Sequence, residues 1–104
     1  MKPLLVLTTV GADFDARALA HTLVEARLAA CVNIVERVHS VYRWEGRVAA
    51  DGEQLLLIKT SDLRVDALRE ELLRLHPYDV PEFVVLSIDG VSEAYGSWLS
   101  QTLS

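Results

Sequence analysis

The hydrophobic residues of the chain follow two different spacings, and these spacings predict its secondary structure. The segment from Leu4 to Thr9 is a short apolar run that favours a first strand. Gly11 breaks this run, and Asp13 or Asp15 then caps a helix that we expect to extend to about Arg27. The apolar residues of this segment recur at helical spacing, at Ala16, Leu19, Leu23 and Ala26. The chain is therefore predicted to open with a strand and an amphipathic helix.

From Cys31 to Trp44 the spacing changes to a period of two, which is typical of a strand. The apolar and aromatic residues of one parity are Val32, Ile34, Val38, Tyr42 and Trp44. Glu45-Gly46 makes a turn, and a second long strand follows, which we place at Arg47 to Thr60. Asp51-Gly52 interrupts this strand with a turn or a bulge. Strands of more than about ten residues are uncommon, so the sequence predicts an unusually long hairpin.

A second amphipathic helix is predicted after Ser61 or Asp62, since either residue is suited to cap it. Its apolar stripe is formed by Val65, Leu68, Leu72 and Leu75. The helix ends at the segment His76-Pro77-Tyr78-Asp79-Val80-Pro81-Glu82, hereafter the connector, because its two prolines fix the backbone and remove two donors. Phe83 to Ile88 predicts a fourth strand. Ser92 then caps a short C-terminal helix, which carries Tyr95, Trp98 and Leu99.

The predicted order is β-α-β-β-α-β with an extra C-terminal helix, which is the ferredoxin-like α+β arrangement. The 104 residues suit a single domain, residues 1–104. Two helices cover only one face of a four-stranded sheet, yet the third and fourth strands are apolar on both parities, as in Leu55-Leu56-Leu57-Ile58. An exposed apolar face marks an interface, and the overhanging hairpin leaves strand edges unpaired. We therefore expect an obligate homo-oligomer.

The net charge, the length of the apolar runs and the cysteine count argue against several classes of protein. The formal net charge is −5, with both signs spread along the chain, which argues against a nucleic-acid partner. No apolar run approaches the roughly 18 residues of a membrane span. The one cysteine, Cys31, leaves no internal disulfide, and we interpret it as a core residue. The segment from Met1 to Leu7 fits a strand better than a signal peptide, so we expect a cytoplasmic protein.

The connector gathers an imidazole, a phenol and two carboxylates on a stiff backbone. Neutral imidazole suits Cu(II), Zn(II) and Ni(II), so His76 is the first candidate metal ligand, with Asp79 and Glu82 beside it. Because one histidine is not a site, a neighbouring subunit would have to supply further ligands. The alternative is that His76 caps the end of the second helix. His21 and His39 have no partners at ligand spacing and are interpreted as solvated or locally hydrogen-bonded.

Aromatic residues form a second set of candidates. Tyr42, Trp44, Tyr78 and Trp98 either line a cleft between subunits, where they would stack on a small ligand, or anchor a protein–protein interface. The interface is the favoured interpretation. Lys59 and Glu82 flank strand ends, where they would bind an anion and a cation or form a structural ion pair.

Motifs of common enzymes are absent from the sequence. There is no Gly-rich phosphate loop, no H-E-x-x-H and no G-x-S-x-G. Acylphosphatases share the predicted topology but need an arginine in the turn after the first strand, where this chain has Val10-Gly11-Ala12-Asp13. The third strand lacks the basic and aromatic motif of an RNA-binding RRM domain. We expect no enzymatic activity.

Five motifs occur in order over nearly the whole chain. They are Leu28-Ala29-Ala30-Cys31-Val32-Asn33-Ile34, Ser40-x-Tyr42-x-Trp44-x-Gly46, Glu53-x-x-Leu56-x-x-Lys59-Thr60, the connector, and Tyr95-x-x-Trp98-Leu99. In these motifs the chain resembles the CutA, or CutA1, divalent-cation-tolerance proteins. The resemblance implies a ferredoxin-like subunit in a homotrimer similar to the PII signalling proteins, in which the hairpins of neighbouring subunits pair. It also implies a link to the tolerance of copper and other divalent metals.

The chain departs from this family where copper is concerned. Some members said to bind copper carry a Cys in the first strand and a His-His pair before the Pro-Tyr, and here Thr8 and Leu75-His76 occupy those positions. The thiolate that favours Cu(I) is missing. Because the connector still places a His, a Tyr and two acids together, we expect weak binding of copper, another divalent metal or a small ligand in clefts between subunits, with His76 as the first residue to test. The alternative is a PII-like trimeric signalling or interaction scaffold without metal chemistry.

Overall fold

The computed structural model describes residues 1–104 and confirms the predicted order of elements. They are β1 (Pro3–Gly11), α1 (Ala16–Glu25), β2 (Cys31–Trp44), β3 (Arg47–Ser61), α2 (Val65–Leu75), β4 (Val84–Ser87) and α3 (Glu93–Leu103). The strands form one antiparallel sheet in the order β2-β3-β1-β4. This is the ferredoxin-like fold with an additional C-terminal helix. No helix has the length and apolar character needed to cross a membrane.

The main core lies between one face of the sheet and the two helices α1 and α2. Alternate residues of β1 are buried, as the period of two requires. They pack with two leucines from each helix and with Leu56 and Ile58 of β3, all fully or almost fully buried. Each such aliphatic side chain contributes about 1.5–3 kcal/mol by leaving water, so this face decides how the helices sit on the sheet.

Two of the predicted helix starts are confirmed. Asp15 caps α1, since its carboxylate accepts the backbone N–H of Ala18 at 3.0 Å, and Ser92 caps α3. The prediction that α1 extends to about Arg27 was wrong, because the helix ends at Glu25. Arg27 has a φ of 60°, in the left-handed region that terminates helices.

The predicted cap of α2 was also wrong, because neither Ser61 nor Asp62 holds its first turn. The N-cap is Arg64, which makes no side-chain capping bond. Ser61 Oγ accepts the N–H of Leu63, and Asp62 Oδ1 accepts the N–H of Lys2. Both side chains therefore stabilise the turn between β3 and α2 and the start of β1 instead.

The long hairpin is confirmed almost to the residue, but its irregularity lies elsewhere than predicted. Val35 pairs with Leu55 and Val38 pairs with Glu53, so β2 takes three steps where β3 takes two. The intervening residues of β2 form a bulge, whereas Asp51-Gly52 of β3 pairs regularly.

This bulge reverses which side of the sheet each parity of β2 faces. Val32 and Ile34 pack against the main core. Val38, Tyr42 and Trp44 have the same parity in the sequence, yet the extra residue places them on the opposite face. The prediction of a single apolar face along all of β2 was therefore wrong.

Beyond the bulge the hairpin projects from the rest of the subunit. The last pair between β1 and β3 is Gly11 with Glu53, so residues 36–52, hereafter the arm, form a two-stranded ribbon. Val41 and Val48 on this arm are 71% and 67% exposed. The subunit is elongated, with extents of 45 × 25 × 22 Å. The arm thus offers apolar surface that its own chain leaves uncovered.

The sheet face opposite α1 and α2, hereafter the open face, is apolar across three strands. Cross-strand pairs place together Leu5, Leu7, Leu55, Leu57, Val84 and Leu86. Val84 and Leu86 remain 44% and 43% exposed. The predicted fourth strand, Phe83 to Ile88, is shorter, because β4 covers only Val84–Ser87. An uncovered apolar face exists as predicted, while the homo-oligomer that would bury it stays a prediction.

Candidate functional site

The connector begins where proline forces α2 to stop. His76 is the C-cap residue, with extended backbone angles of φ −72° and ψ 136°, because the residue before a proline is pushed away from helical angles. Its N–H still reaches back to the carbonyl of Leu72 at 2.9 Å. The connector then passes the end of β1 before it enters β4.

Both ring nitrogens of His76 bond to the main chain. Nε2 lies 2.8 Å from the carbonyl oxygen of Thr9, and Nδ1 lies 3.1 Å from the backbone nitrogen of Tyr78. Because the Tyr78 N–H can only donate, Nδ1 accepts, and Nε2 therefore carries the proton and donates to Thr9. The side chain is buried, with 8% of the residue exposed. His76 thus fixes the connector to the end of β1.

This arrangement bears on two interpretations of His76. The helix-capping alternative was wrong for the side chain, since its bond goes to β1 and not to the last carbonyls of α2. A metal ligand must offer a free lone pair, and the one on Nδ1 already accepts the N–H of Tyr78. A metal ion at His76 would have to break that bond.

The other two positions implied for copper do not supply donors either. Thr8 is fully buried on the core face, and its hydroxyl has no hydrogen-bond partner. Leu75 carries no donor atom. The residues at Thr8, Leu75 and His76 therefore do not fit a copper ion.

Tyr78 connects the connector to β3. Its hydroxyl donates to Glu53 Oε2 at 2.7 Å, and it passes close to Gly11, where a Cβ would lie 3.8 Å away. Burial of the hydroxyl, followed by its hydrogen bond to Glu53, raises the pKa of Tyr78 well above its ordinary value of about 10. The phenol therefore stays protonated and keeps donating at neutral pH.

A second phenol–carboxylate pair lies on the arm. Tyr42 on β2 donates its hydroxyl to Asp51 on β3. That bond is the main cause that raises the pKa of Tyr42, with Glu53 adding a smaller effect. Two carboxylates at this end of the sheet, those of Asp51 and Glu53, therefore each accept a hydrogen bond from a tyrosine.

A groove of about 820 Å³ lies between the arm and the connector. Three aromatic side chains line it, those of Tyr42, Trp44 and Tyr78. Three carboxylates line it as well, those of Glu53, Asp79 and Glu82. None of its 12 lining residues is lysine or arginine. The groove therefore presents aromatic faces and negative charge, which together favour a positively charged occupant.

Glu53 is engaged with Tyr78, but Asp79 and Glu82 form no hydrogen bond or ion pair within the chain. Asp79 is exposed and Glu82 is half-buried. They are the two carboxylates of the groove that remain available to an outside partner. No three His, Cys, Asp or Glu side chains of the chain converge closely enough to hold a metal ion, so one chain offers an incomplete set of ligands.

The structure separates Lys59 and Trp98 from the other predicted site residues. Lys59 lies beside α3, with its ammonium 5.5 Å from the centre of the Tyr95 ring. Trp98 belongs to α3, and the centre of its ring is 5.4 Å from that of Tyr95. The predicted ion pair between Lys59 and Glu82 is not formed. Neither residue lines the groove.

Among the groove residues that sequence reasoning did not place at the site are Thr9, His39 and Glu53. His39 is predicted from the sequence to be solvated or locally hydrogen-bonded, yet it lines the groove although it alternates with Tyr42 along β2. The signal for Glu53 was present, because it pairs with Gly11, the last residue of β1. Pairing β1 with β3 by register would have found it.

Comparison with known proteins identifies the family. A family described as "CutA1 divalent ion tolerance protein" matches residues 4–102. The "Divalent-cation tolerance protein CutA" of Thermus thermophilus is 49% identical over 96 residues, which are 92% of this chain and 93% of that protein. "Protein CutA, chloroplastic" of Arabidopsis thaliana is 43% identical over 95% of this chain, which spans only 54% of the plant protein.

Solved structures agree with this result. The "Structure of CutA from Synechococcus elongatus PCC7942" superposes with a TM-score of 0.94 at 44% identity, and covers 99% of this chain and 91% of that one. The Thermus thermophilus "Divalent cation tolerance protein (Cut A1)" gives a TM-score of 0.93 at 46% identity, over 98% of this chain and 99% of that one. The predicted resemblance is confirmed: this chain belongs to the CutA1 divalent ion tolerance family.

Proposed function

We propose that the protein acts in the response to divalent metal ions as a homotrimer, and that it binds a divalent cation weakly in the groove between arm and connector. The observation that carries this proposal is the pair of free carboxylates, Asp79 and Glu82, in a groove without lysine or arginine. Carboxylate oxygens and the imidazole of His39, which also lines the groove, are donors that divalent cations accept. The proposal assigns no catalytic step to these residues.

The homotrimer is part of the proposal for two reasons. The open face exposes an apolar surface on which neither α1 nor α2 packs, and a neighbouring subunit would bury it. The donor set of one chain is also incomplete, so the neighbour would complete it. An exposed site of this kind keeps several waters on the ion, which accounts for weak and reversible binding.

The proposed compartment is the cytoplasm. Relatives carry different compartments in their names, since two plant proteins are called chloroplastic and an archaeal structure is called periplasmic. Support for a reducing compartment comes from the single cysteine, which is free and partly buried.

The test is a calorimetric titration of the tag-free protein with Cu²⁺, which binds nitrogen and oxygen donors most tightly among first-row divalent ions. We expect saturable binding that is lost in the double variant Asp79→Asn with Glu82→Gln. The matched control is Asp89→Asn, which removes an exposed carboxylate outside the groove. Equal binding by the double variant and the control would contradict the proposal.

A second candidate function is a PII-like trimeric scaffold without metal chemistry. It is favoured by His76, whose ring bonds fix the connector and leave no lone pair for a metal. Trp44→Ala separates the two roles open to the aromatic residues of the groove, which are anchoring the interface and contacting a ligand. A trimer that is lost assigns Trp44 to the interface, whereas a sound trimer with weaker ligand binding assigns it to the groove.

A further inference from the structure

Three arginines of the chain have no partner, and all three lie on the arm. The chain has ten lysine and arginine residues together, eight of which are arginines. Five arginines are bonded to carboxylates or to backbone carbonyls of their own chain: Arg17, Arg27, Arg64, Arg69 and Arg74. Arg37, Arg43 and Arg47 make no hydrogen bond or ion pair.

The groove, in contrast to the arm, contains carboxylates that lack a cationic partner. Asp79 and Glu82 are carboxylates without a partner, and the groove walls add three aromatic rings but no lysine or arginine. A guanidinium group bonds carboxylates with a fork of donors and also stacks on aromatic faces. The chemistry of the groove thus matches that of the three arginines that the arm leaves unpaired.

Of the three arginines, Arg43 is placed best for another copy of the chain. Strand alternation puts Arg43 on the arm face opposite Tyr42 and Trp44. Unlike His39 and Val41 on its own face, Arg43 does not line the groove of its own chain. It pairs across the ribbon with Val48, whose side chain is also uncovered. Arg47 instead pairs with Trp44 on the groove side, and Arg37 lies in the bulge at the base of the arm.

We propose that Arg43 on the arm of one copy enters the groove of a neighbouring copy and bonds the carboxylates of Asp79 and Glu82. This inference rests on the homo-oligomer of the proposed function and names the residue that the partner contributes to the groove. Arg43 is then the resident cation of the site, and a divalent ion binds there by displacing it. Weak metal binding follows from this competition.

The test is a charge reversal measured by light scattering in urea, at a concentration where the wild-type oligomer is half dissociated. Arg43→Glu should weaken assembly about tenfold or more, since like charges then face each other. Asp79→Arg or Glu82→Arg, added to Arg43→Glu in the same chain, should restore assembly. Arg37→Glu is the matched control and should leave assembly unchanged. Circular dichroism of each variant verifies that the subunit still folds.

Mixing two variant proteins shows whether Arg43 contacts Asp79 and Glu82 of another copy or those of its own chain. Arg43→Glu protein and Asp79→Arg protein should assemble together better than either does alone, because each supplies what the other lacks. Assembly of Arg43→Glu like that of Arg37→Glu would overturn the inference while leaving the trimer and the metal site standing. Weakening that neither reversal repairs would overturn the assignment to Asp79 and Glu82. A monomeric wild-type protein would overturn the proposed homotrimer as well.

Discussion

The hydroxyl of Tyr78 donates a 2.7 Å hydrogen bond to Glu53 Oε2, which ties the connector to β3 where the arm leaves the sheet. Glu53 is a buried carboxylate with 7% of the residue exposed, so the phenol supplies a partner that its charge needs. The bond between Tyr78 and Glu53 and the two bonds of the His76 ring to Thr9 and Tyr78 together hold the connector in place as one wall of the groove.

Tyr78→Phe should therefore destabilise the subunit at neutral pH by about 1–2 kcal/mol, since the hydrogen bond to a charged group is lost and Glu53 is left unpaired. The raised pKa of Tyr78 adds a pH dependence. The folded protein holds the phenolic proton more tightly than the unfolded chain, so this contribution is present below pH about 10 and falls as the pH rises above it. Urea unfolding of both proteins between pH 7 and 11 should show the gap narrowing. A gap that widens above pH 10 would contradict this account.

His76→Ala should lower stability by about 2–3 kcal/mol, because the backbone groups of Thr9 and Tyr78 both lose a partner at a buried position. At a temperature where the variant is folded, its Cu²⁺ stoichiometry should match that of the wild type, since the proposed ligands are Asp79 and Glu82. The measurement is thermal unfolding paired with calorimetry. Loss of Cu²⁺ binding in a well-folded variant would return His76 to the ligand set.

Thr8 and Thr60 are both fully buried, but only Thr60 has a hydrogen bond, from its hydroxyl to the carbonyl of Leu28 at 2.7 Å. Thr8→Val should raise the free energy of unfolding by about 1 kcal/mol, because it replaces an unpaired hydroxyl by a methyl group of similar volume. Thr60→Val should lower it by about 1–2 kcal/mol. Both are measured at one protein concentration, since assembly adds to apparent stability. If both variants lowered the free energy of unfolding by the same amount, the Thr8 hydroxyl would have a hydrogen-bond partner after all, which would contradict this account.

Arg43→Gln should tighten Cu²⁺ binding roughly 5-fold or more, because it removes the cation that competes for Asp79 and Glu82. The coupling is reciprocal, so saturating Cu²⁺ should in turn cancel the contribution of Arg43 to wild-type assembly. Arg37→Gln controls for the loss of one positive charge on the arm. A calorimetric affinity equal in both variants would mean that Arg43 and the metal do not share a site.

The sequence was sufficient to predict elements whose pattern is local. The alternation in β2, the turn at Glu45-Gly46 and the two prolines of the connector each determine the backbone over a few residues. The strand β2, the turn and the end of α2 accordingly appear where they are expected. The aromatic pair Tyr42 and Trp44 was also placed in the same group as Tyr78, and the groove unites them.

What the sequence could not provide depends on register and on backbone atoms. The bulge between Val35 and Val38 adds one residue without disturbing the polar pattern, so it changed the face of everything after it, including His39. The partner of the His76 Nε2 is a main-chain carbonyl of Thr9, which every residue possesses and no motif marks. The sequence therefore singled out His76 as a metal ligand, whereas both of its ring nitrogens bond to the main chain of its own subunit.

The most direct test of the central claim is to locate a divalent cation on the folded protein. Cu²⁺ is paramagnetic, so at substoichiometric amounts it broadens the backbone amide resonances of residues close to it. We predict that broadening begins at Asp79 and Glu82 and extends to the facing wall of the arm around His39. Broadening centred on His21 or on the acidic residues of α2, with the groove unaffected, would contradict the proposed site.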